Sequence, residues 1–288
     1  MSYKERERTK VIAIRDKVFR DPGNGIYSNI PREFVLSNPT LNLCEGIRED
    51  ALDYFCKNQI TWHDGINNGP TGHLLSSQIA CINHLYFVRQ RQDAATAILK
   101  NIQADIEKAV FVDDGYVEFE FIGDKQYMKE RVWSRGVNCT SVDAVMIGES
   151  GAGKKIMFLI EWKYTEAYSF RSKYIPERAN IYDPLIKDVN SPFIKLTEND
   201  VPKLYCEPFY QLMRQTLLGW QCALNNDHCC TEYYHVHVIP DSNTELKNKI
   251  PPGYSGTDIS TAWKSVLKEP DKYLVISPEA LLKPCQSL

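Results

Sequence analysis

The sequence predicts an α/β fold in which a mixed central sheet is flanked by helices, with helical additions at both ends. Three observations carry this. Apolar residues recur at helical spacing as far as about residue 110, and the period then drops to two over 115–123. Beyond that lies an unbroken apolar run, Ile156–Ile160, with the character of a strand buried on both faces.

The elements follow in order. Residues 3–20 read as a helix, ended by "DPGNGIYSNIP", where Pro, Gly and Asn break the pattern. A second helix covers 44–58, with Cys44, Ile47, Ala51, Leu52 and Phe55 at helical spacing, and "WHDGINNGPTG" is loop. Helices are expected over 73–90 and 93–110, the latter opened by the capping residue Asp93 and striped by Ala97, Leu99, Ile102 and Ile106. In 115–123, Val117, Phe119 and Phe121 alternate with Tyr116, Glu118 and Glu120, a strand with one wet face. Strands at 141–148 and 154–166 come next, then a stretch without clear period over 167–205. A helix over 207–224 carries Phe209, Leu212, Met213, Leu217 and Trp220 on one face; 231–240 is a strand, and 258–284 closes with helix, strand and helix. No repeat and no linker divides the 288 residues, so one domain is expected: an N-terminal helical part (1–92), a core (93–240) and a C-terminal addition (241–288).

Composition narrows the function. Hydrophobic residues at 43 % supply an ordinary core, and no apolar run approaches the roughly 18 residues needed to span a bilayer. The charged start "MSYKERERTK" lacks the apolar core of a signal peptide, so a cytoplasmic location without membrane contact is expected. Nine cysteines, an odd number, then read as reduced thiols. A net charge of −3 argues against a protein that coats nucleic acid through a global basic field, but not against an enzyme that gathers charge in one cleft.

The segment "GESGAGKK" (148–155) matches a phosphate-binding loop up to its last position. Such a loop needs a helix after it, whose N-terminal amides face the phosphates. Here Lys-Ile-Met-Phe-Leu-Ile follows, which is strand-like, and Lys155 stands where Ser or Thr would hold magnesium. The segment therefore reads as a glycine-rich turn joining two strands, and nucleotide hydrolysis becomes a remote third reading.

The turn makes its two strands antiparallel neighbours. One carries Asp143; the other ends in Glu161-Trp162-Lys163. Glu161 and Lys163, two apart on a strand, share a face while Trp162 points away, and the pairing brings Asp143 to the same end. Two carboxylates at a metal's width supply hard oxygen ligands for Mg²⁺, which polarises a phosphoryl oxygen and acidifies a bound water. An adjacent lysine orients that water or steadies developing negative charge. The bland alternative is an ion pair at a sheet edge, but the flanking apolar run predicts burial, where charges seldom sit without purpose.

Asp143 with Glu161-Trp162-Lys163 on a central hairpin resembles the PD-(D/E)xK nuclease superfamily, and the inferred helix–three strands–helix–strand order is similar to its common core, over about 93–240. "GHLLSSQIACINHL" and "EPFYQLMRQTLLGWQ" further resemble a family of bacterial proteins assigned as restriction endonucleases. Val142 replaces the proline of the motif's name, a position that varies across the superfamily. The resemblance implies a metal-dependent endonuclease that hydrolyses DNA phosphodiester bonds, acting in restriction or genome defence. It implies catalysis by Asp143, Glu161 and Lys163; metal ligation by Asp143, Glu161 and the backbone carbonyl of Trp162; and Mg²⁺ as cofactor with Mn²⁺ as a substitute. DNA is the implied partner, and double-strand cleavage by two sites implies a homodimer. The alternative is a non-catalytic nucleic-acid-binding module that kept the fold.

Other residues have two readings each. Gln211 and Gln215, one turn apart, either pack beside the site or face solvent; Gln78, next to Ser77, is an accessory amide or an ordinary helix start. Cys222, His228, Cys229, Cys230, His235 and His237 raise the question of zinc, but their spacing is irregular, and buried thiols and core histidines are the plainer reading. Lys125, Lys129, Arg131, Trp133 and Arg135, then Arg171, Lys173 and Arg178, flank the motif as phosphate contacts or as solvated loops.

Overall fold

The computed structural model describes residues 1–287. Its first helix, α1 (Tyr3–Phe19), opens with a reciprocal cap in which Ser2 Oγ accepts from the Glu5 amide at 3.2 Å and Glu5 accepts from the Ser2 amide at 2.7 Å. A small hairpin follows, β1 (Gly25–Tyr27) with β2 (Ile30–Arg32). Three helices come next: α2 (Arg48–Lys57), α3 (Ser77–Leu85) and α4 (Gln92–Ile102). Then come β3 (Ile106–Val110), β4 (Glu118–Phe121), the single turn α5 (Lys125–Met128), and the long hairpin of β5 (Val142–Ser150) and β6 (Lys155–Trp162). The chain continues through α6 (Pro176–Ile186), α7 (Phe209–Leu224) and β7 (Cys230–Val238). It closes with α8 (Thr244–Lys247), α9 (Ile259–Lys264), β8 (Tyr273–Ile276) and α10 (Pro278–Leu282).

Six strands form the main sheet in the order β3-β5-β6-β7-β8, with β4 also on β5. β3 pairs with the far half of β5 and β4 with its near half, so two short strands share one edge. β5 and β6 are antiparallel, whereas β6, β7 and β8 run parallel. Helices cover both faces. Val145, Ile147, Met157 and Leu159 pack with Leu212, Met213 and Leu217 of α7, while Ala144, Met146, Phe158 and Ile160 pack with Ile79 and Ile82 of α3 and Ile98 of α4. This covering explains the continuous apolar run of β6, whose Ile156–Trp162 are all buried. The expected mixed sheet flanked by helices is the fold observed.

Four expectations differ from the structure. The helix expected over 93–110 begins at Gln92, with Asp93 inside its first turn and not at the cap, and ends at Ile102; Ile106–Val110 is a strand. Its pairing with β5 slips between Ile106 and Lys108, which leaves the buried positions Ile106 and Ala109 three apart, a helical spacing inside a strand. The helix expected over 73–90 is shorter, with a 3₁₀ turn at Tyr86–Val88 after α3. The stretch over 167–205 contains α6, which starts on Pro176 and includes Pro184, so it lacks a clean apolar stripe. In β4 the alternation breaks at Glu120, whose φ is +51°: Phe119 joins the core beneath α3 and α4, and Phe121 the core beneath α7.

The segment 148–155 is a hairpin turn. Gly153, at φ +73°, donates to Ser150 O at 2.8 Å, and Ser150 donates to Lys154 O at 2.9 Å, closing a three-residue loop over 151–153. A strand follows it, and Lys154 pairs with Glu232 of β7 at 3.2 Å. Gly148 lies within β5, where a Cβ would come to 2.8 Å from Ile106.

Candidate active site

Sheet register assembles the site. β5 and β6 pair Ala144 with Ile160, so the next step sets Asp143 opposite Glu161. β4 pairs Phe119 with Ala144 and Phe121 with Val142, which sets Glu120 opposite Asp143. Three carboxylates from three adjacent strands thus form a row at the end of the sheet. Lys163, just past β6, joins it, with Nζ 2.6 Å from Glu161 Oε1; both side chains are buried. Asp143 Oδ2 accepts from the Trp162 amide at 2.6 Å, while the Trp162 ring turns to the opposite core beside His84.

Helix α7 supplies amides from above. Gln211 Nε2 donates to Glu161 Oε1 at 2.8 Å, and Tyr168 donates to Gln211 Oε1 at 2.8 Å. One turn later, Gln215 Nε2 donates to Glu161 Oε2 and, at 2.9 Å, to Ser141 O. Gln78 reaches a different carboxylate: its Nε2 donates to Glu120 Oε1 at 2.7 Å, and its Oε1 accepts from the His63 amide at 3.0 Å. The structure therefore gathers Lys163, Gln211 and Gln215 around the Glu161 carboxylate, sets Asp143 on the strand opposite it and ties Gln78 to Glu120.

Glu120 is the residue that sequence reasoning left on a wet strand face. It is 7 % exposed and has a left-handed backbone unusual for a non-glycine residue. Its sequence signal was the pair Glu118 and Glu120 inside "EFEF", which alternation alone assigns to solvent.

The row carries more negative charge than Lys163 offsets. Burial, then the charges of Glu161 and Glu120, push the half-buried Asp143 carboxyl well above the usual carboxylate range. Burial pushes Glu120 up to about 7, with the Gln78 hydrogen bond opposing and the Glu161 charge adding. Burial works against the charge on Lys163, yet Glu161, Tyr168, Glu166 and Asp143 hold its ammonium well above the ordinary lysine value.

Carboxylates that repel one another in a largely buried row are a donor set suited to a hard divalent cation. The arrangement is not a finished cage: among the described residues, no group of three or more His, Cys, Asp and Glu side chains is placed to hold a metal ion. Glu161 has both oxygens engaged by Lys163, Gln211 and Gln215, whereas Asp143 Oδ1 has no hydrogen-bond partner among the described residues. The cysteine and histidine segment is dispersed. Cys222 and Cys230 are buried, His228 and Cys229 are exposed, and His235 and His237 lie within the sheet.

The flanking cations divide. Arg135 is structural, bonded to Phe119 O and, at 3.0 Å, to Tyr54 Oη, with Glu118 at 3.3 Å. Lys125, Lys129, Trp133 and Arg171 are exposed. Arg131, Lys173 and Arg178 line a groove of about 510 Å³ together with Arg214 of α7, and Glu130, Glu177 and Glu207 line it as well. The Arg178 and Arg214 guanidinium carbons stand 5.4 and 4.7 Å from the Tyr210 ring centre, and among the described residues none of the four cations forms a salt bridge.

A mixed sheet between helical layers, with carboxylates and a lysine at the end of its central hairpin, defines a restriction-endonuclease-like α/β protein. The chain belongs to the family described as "Restriction Endonuclease associating with ARP", whose model matches residues 3–288. Comparison with curated proteins and with solved structures found no match.

Proposed function

We propose that the chain is a metal-dependent endonuclease that hydrolyses DNA phosphodiester bonds, in restriction or genome defence, with Mg²⁺ as its ion and Mn²⁺ as a substitute. The observation that carries the proposal is the row of buried Glu120, half-buried Asp143 and buried Glu161 with a single opposing lysine. Asp143 and Glu161, with the backbone carbonyl of Trp162, would hold the ion. When bound, Mg²⁺ supplies Lewis acidity to a phosphoryl oxygen and a lowered pKa to a coordinated water. Lys163 remains protonated and places positive charge where the phosphorane develops its negative charge. Gln211 and Gln215 orient the Glu161 carboxylate. The groove where Arg131, Lys173, Arg178 and Arg214 outnumber three glutamates supports DNA as the partner. A homodimer is proposed for double-strand cleavage; the family description also names an associate, ARP, and association with such a partner belongs to the same proposal.

The test is plasmid cleavage with Mg²⁺ against EDTA, repeated with Lys163→Ala and Glu161→Ala. Both variants are expected to lose at least about a hundredfold in rate, the scale on which removal of an electrostatic group costs. Unchanged cleavage by both overturns the site. One observation favours a second reading: Glu161 has both oxygens occupied by protein donors. A non-catalytic nucleic-acid-binding module would retain the fold, and DNA binding without cleavage of any DNA or RNA would identify it.

A further inference from the structure

His235 lies on β7, 1 % exposed, and does not touch Glu161, but a chain of hydrogen bonds joins them. Thr216 Oγ1 is 3.1 Å from His235 Nδ1, His235 Nε2 is 3.2 Å from Gln215 Oε1, and Gln215 Nε2 contacts Glu161 Oε2 and Ser141 O. Donor and acceptor chemistry leaves one consistent assignment. Glu161 Oε2 and Ser141 O only accept, so the end of Gln215 facing them is its NH₂ group. Gln215 Oε1 then faces His235 and accepts, so His235 Nε2 carries the proton. Nδ1 is left as an acceptor, and the Thr216 hydroxyl fills it. Burial, then the charge of Lys163, pushes the His235 imidazole down to about 3, in keeping with a neutral ring.

We infer that His235 is a positioning residue for the proposed reaction: acting through the Gln215 amide, it fixes the orientation of the Glu161 carboxylate. Without the donor at Nε2, Gln215 can turn over, and its carbonyl oxygen then faces the carboxylate it should support. The rest of the Glu161 shell is equally directed, since Tyr168 sets Gln211 in the same manner from the other side. Both oxygens of one carboxylate are thus aimed by amides that are themselves held by a third group, the arrangement by which outer residues tune a ligand.

The inference rests on the nuclease reading for its rate measurements but not for its structural one. His235→Leu should lower kcat by about 10–100-fold, the usual cost of losing such a partner, with KM within about twofold. His235→Gln, which returns an N–H donor at similar reach, should recover most of the loss. In a Gln215→Leu background, His235→Leu should cost nothing further, because the route from His235 to Glu161 is already cut. Losses that multiply in the double variant, or a Gln variant as slow as Leu, overturn the assignment. If the wild-type protein cuts no nucleic acid, the nuclease reading has failed, and exchange of the Gln215 side-chain amide protons followed by NMR decides the inference alone. Protection in wild type and in His235→Gln that is lost in His235→Leu supports it; equal protection in all three overturns it.

Discussion

Glu120 shows how a single residue joins backbone, charge and site. Its φ of +51° breaks the strand alternation, sends Phe119 and Phe121 to different cores and sets the carboxylate opposite Asp143. Sequence alternation shows which side chains share a face in an unbroken strand. It shows neither a left-handed residue nor whether a helix covers that face, and for this reason Asp143, Glu161 and Lys163 were legible while Glu120 was not. The charge has a measurable consequence. Burial holds both Glu118 and Glu120 at about 7, above an ordinary 4.5. Between those values the folded protein keeps protons that the unfolded chain has released, so stability falls as pH rises through the window. The histidines His73 and His235, held by burial at about 4 and about 3, give the opposite slope below about pH 6.5. In EDTA, the melting temperature is therefore expected to drop from about pH 6.5 to about pH 7.5. Glu120→Gln should gain on wild type by a few degrees as pH rises; a difference that is flat with pH removes Glu120 as the cause.

At the scale of elements, strong periods were legible and interrupted ones were not. Helix α7 and strands β5, β6 and β7 keep their apolar pattern from end to end. The bulge in β3 imitates a helix, and the two prolines of α6 obscure its stripe. "GESGAGKK" was readable as a turn because a helix could not follow it. Gly219 marks how closely α7 approaches the sheet: a Cβ there would come to 2.5 Å from the Tyr233 ring. Alanine normally favours a helix over glycine by about 1 kcal/mol, but the overpacking costs about 1–3 kcal/mol. Gly219→Ala should therefore lower the denaturation midpoint, measured by urea melts. It should also slow cleavage, since Gln215 lies one turn away on the same helix. A stabilised variant would mean that α7 is free to shift outward.

At the scale of the molecule, a chain of net charge −3 must concentrate its positive field to attract DNA. The groove proposed for DNA lies beside α7, where Arg131, Lys173, Arg178 and Arg214 outnumber Glu130, Glu177 and Glu207, and only three of those four cations stood out in the sequence. Arg214 lay hidden between two glutamines on a helix whose outward face could not be assigned. Lys173→Gln with Arg178→Gln in the inactive Lys163→Ala protein should flatten the salt dependence of duplex binding by about two counterions, read by fluorescence anisotropy across a NaCl series in EDTA. An unchanged slope would place the DNA elsewhere. No helix among the described residues is long and apolar enough to cross a membrane. The sheet itself carries a last consequence. β6 has an antiparallel neighbour close in sequence and a parallel one that returns only at residue 230. Pairing with β5 alone can bring Asp143 to Glu161, but the amides of α7 and the imidazole of β7 arrive only when that distant segment docks. A nascent chain halted before residue 209 would hold acids and lysine without the amides of α7, so the full shell around Glu161 can assemble only late in synthesis.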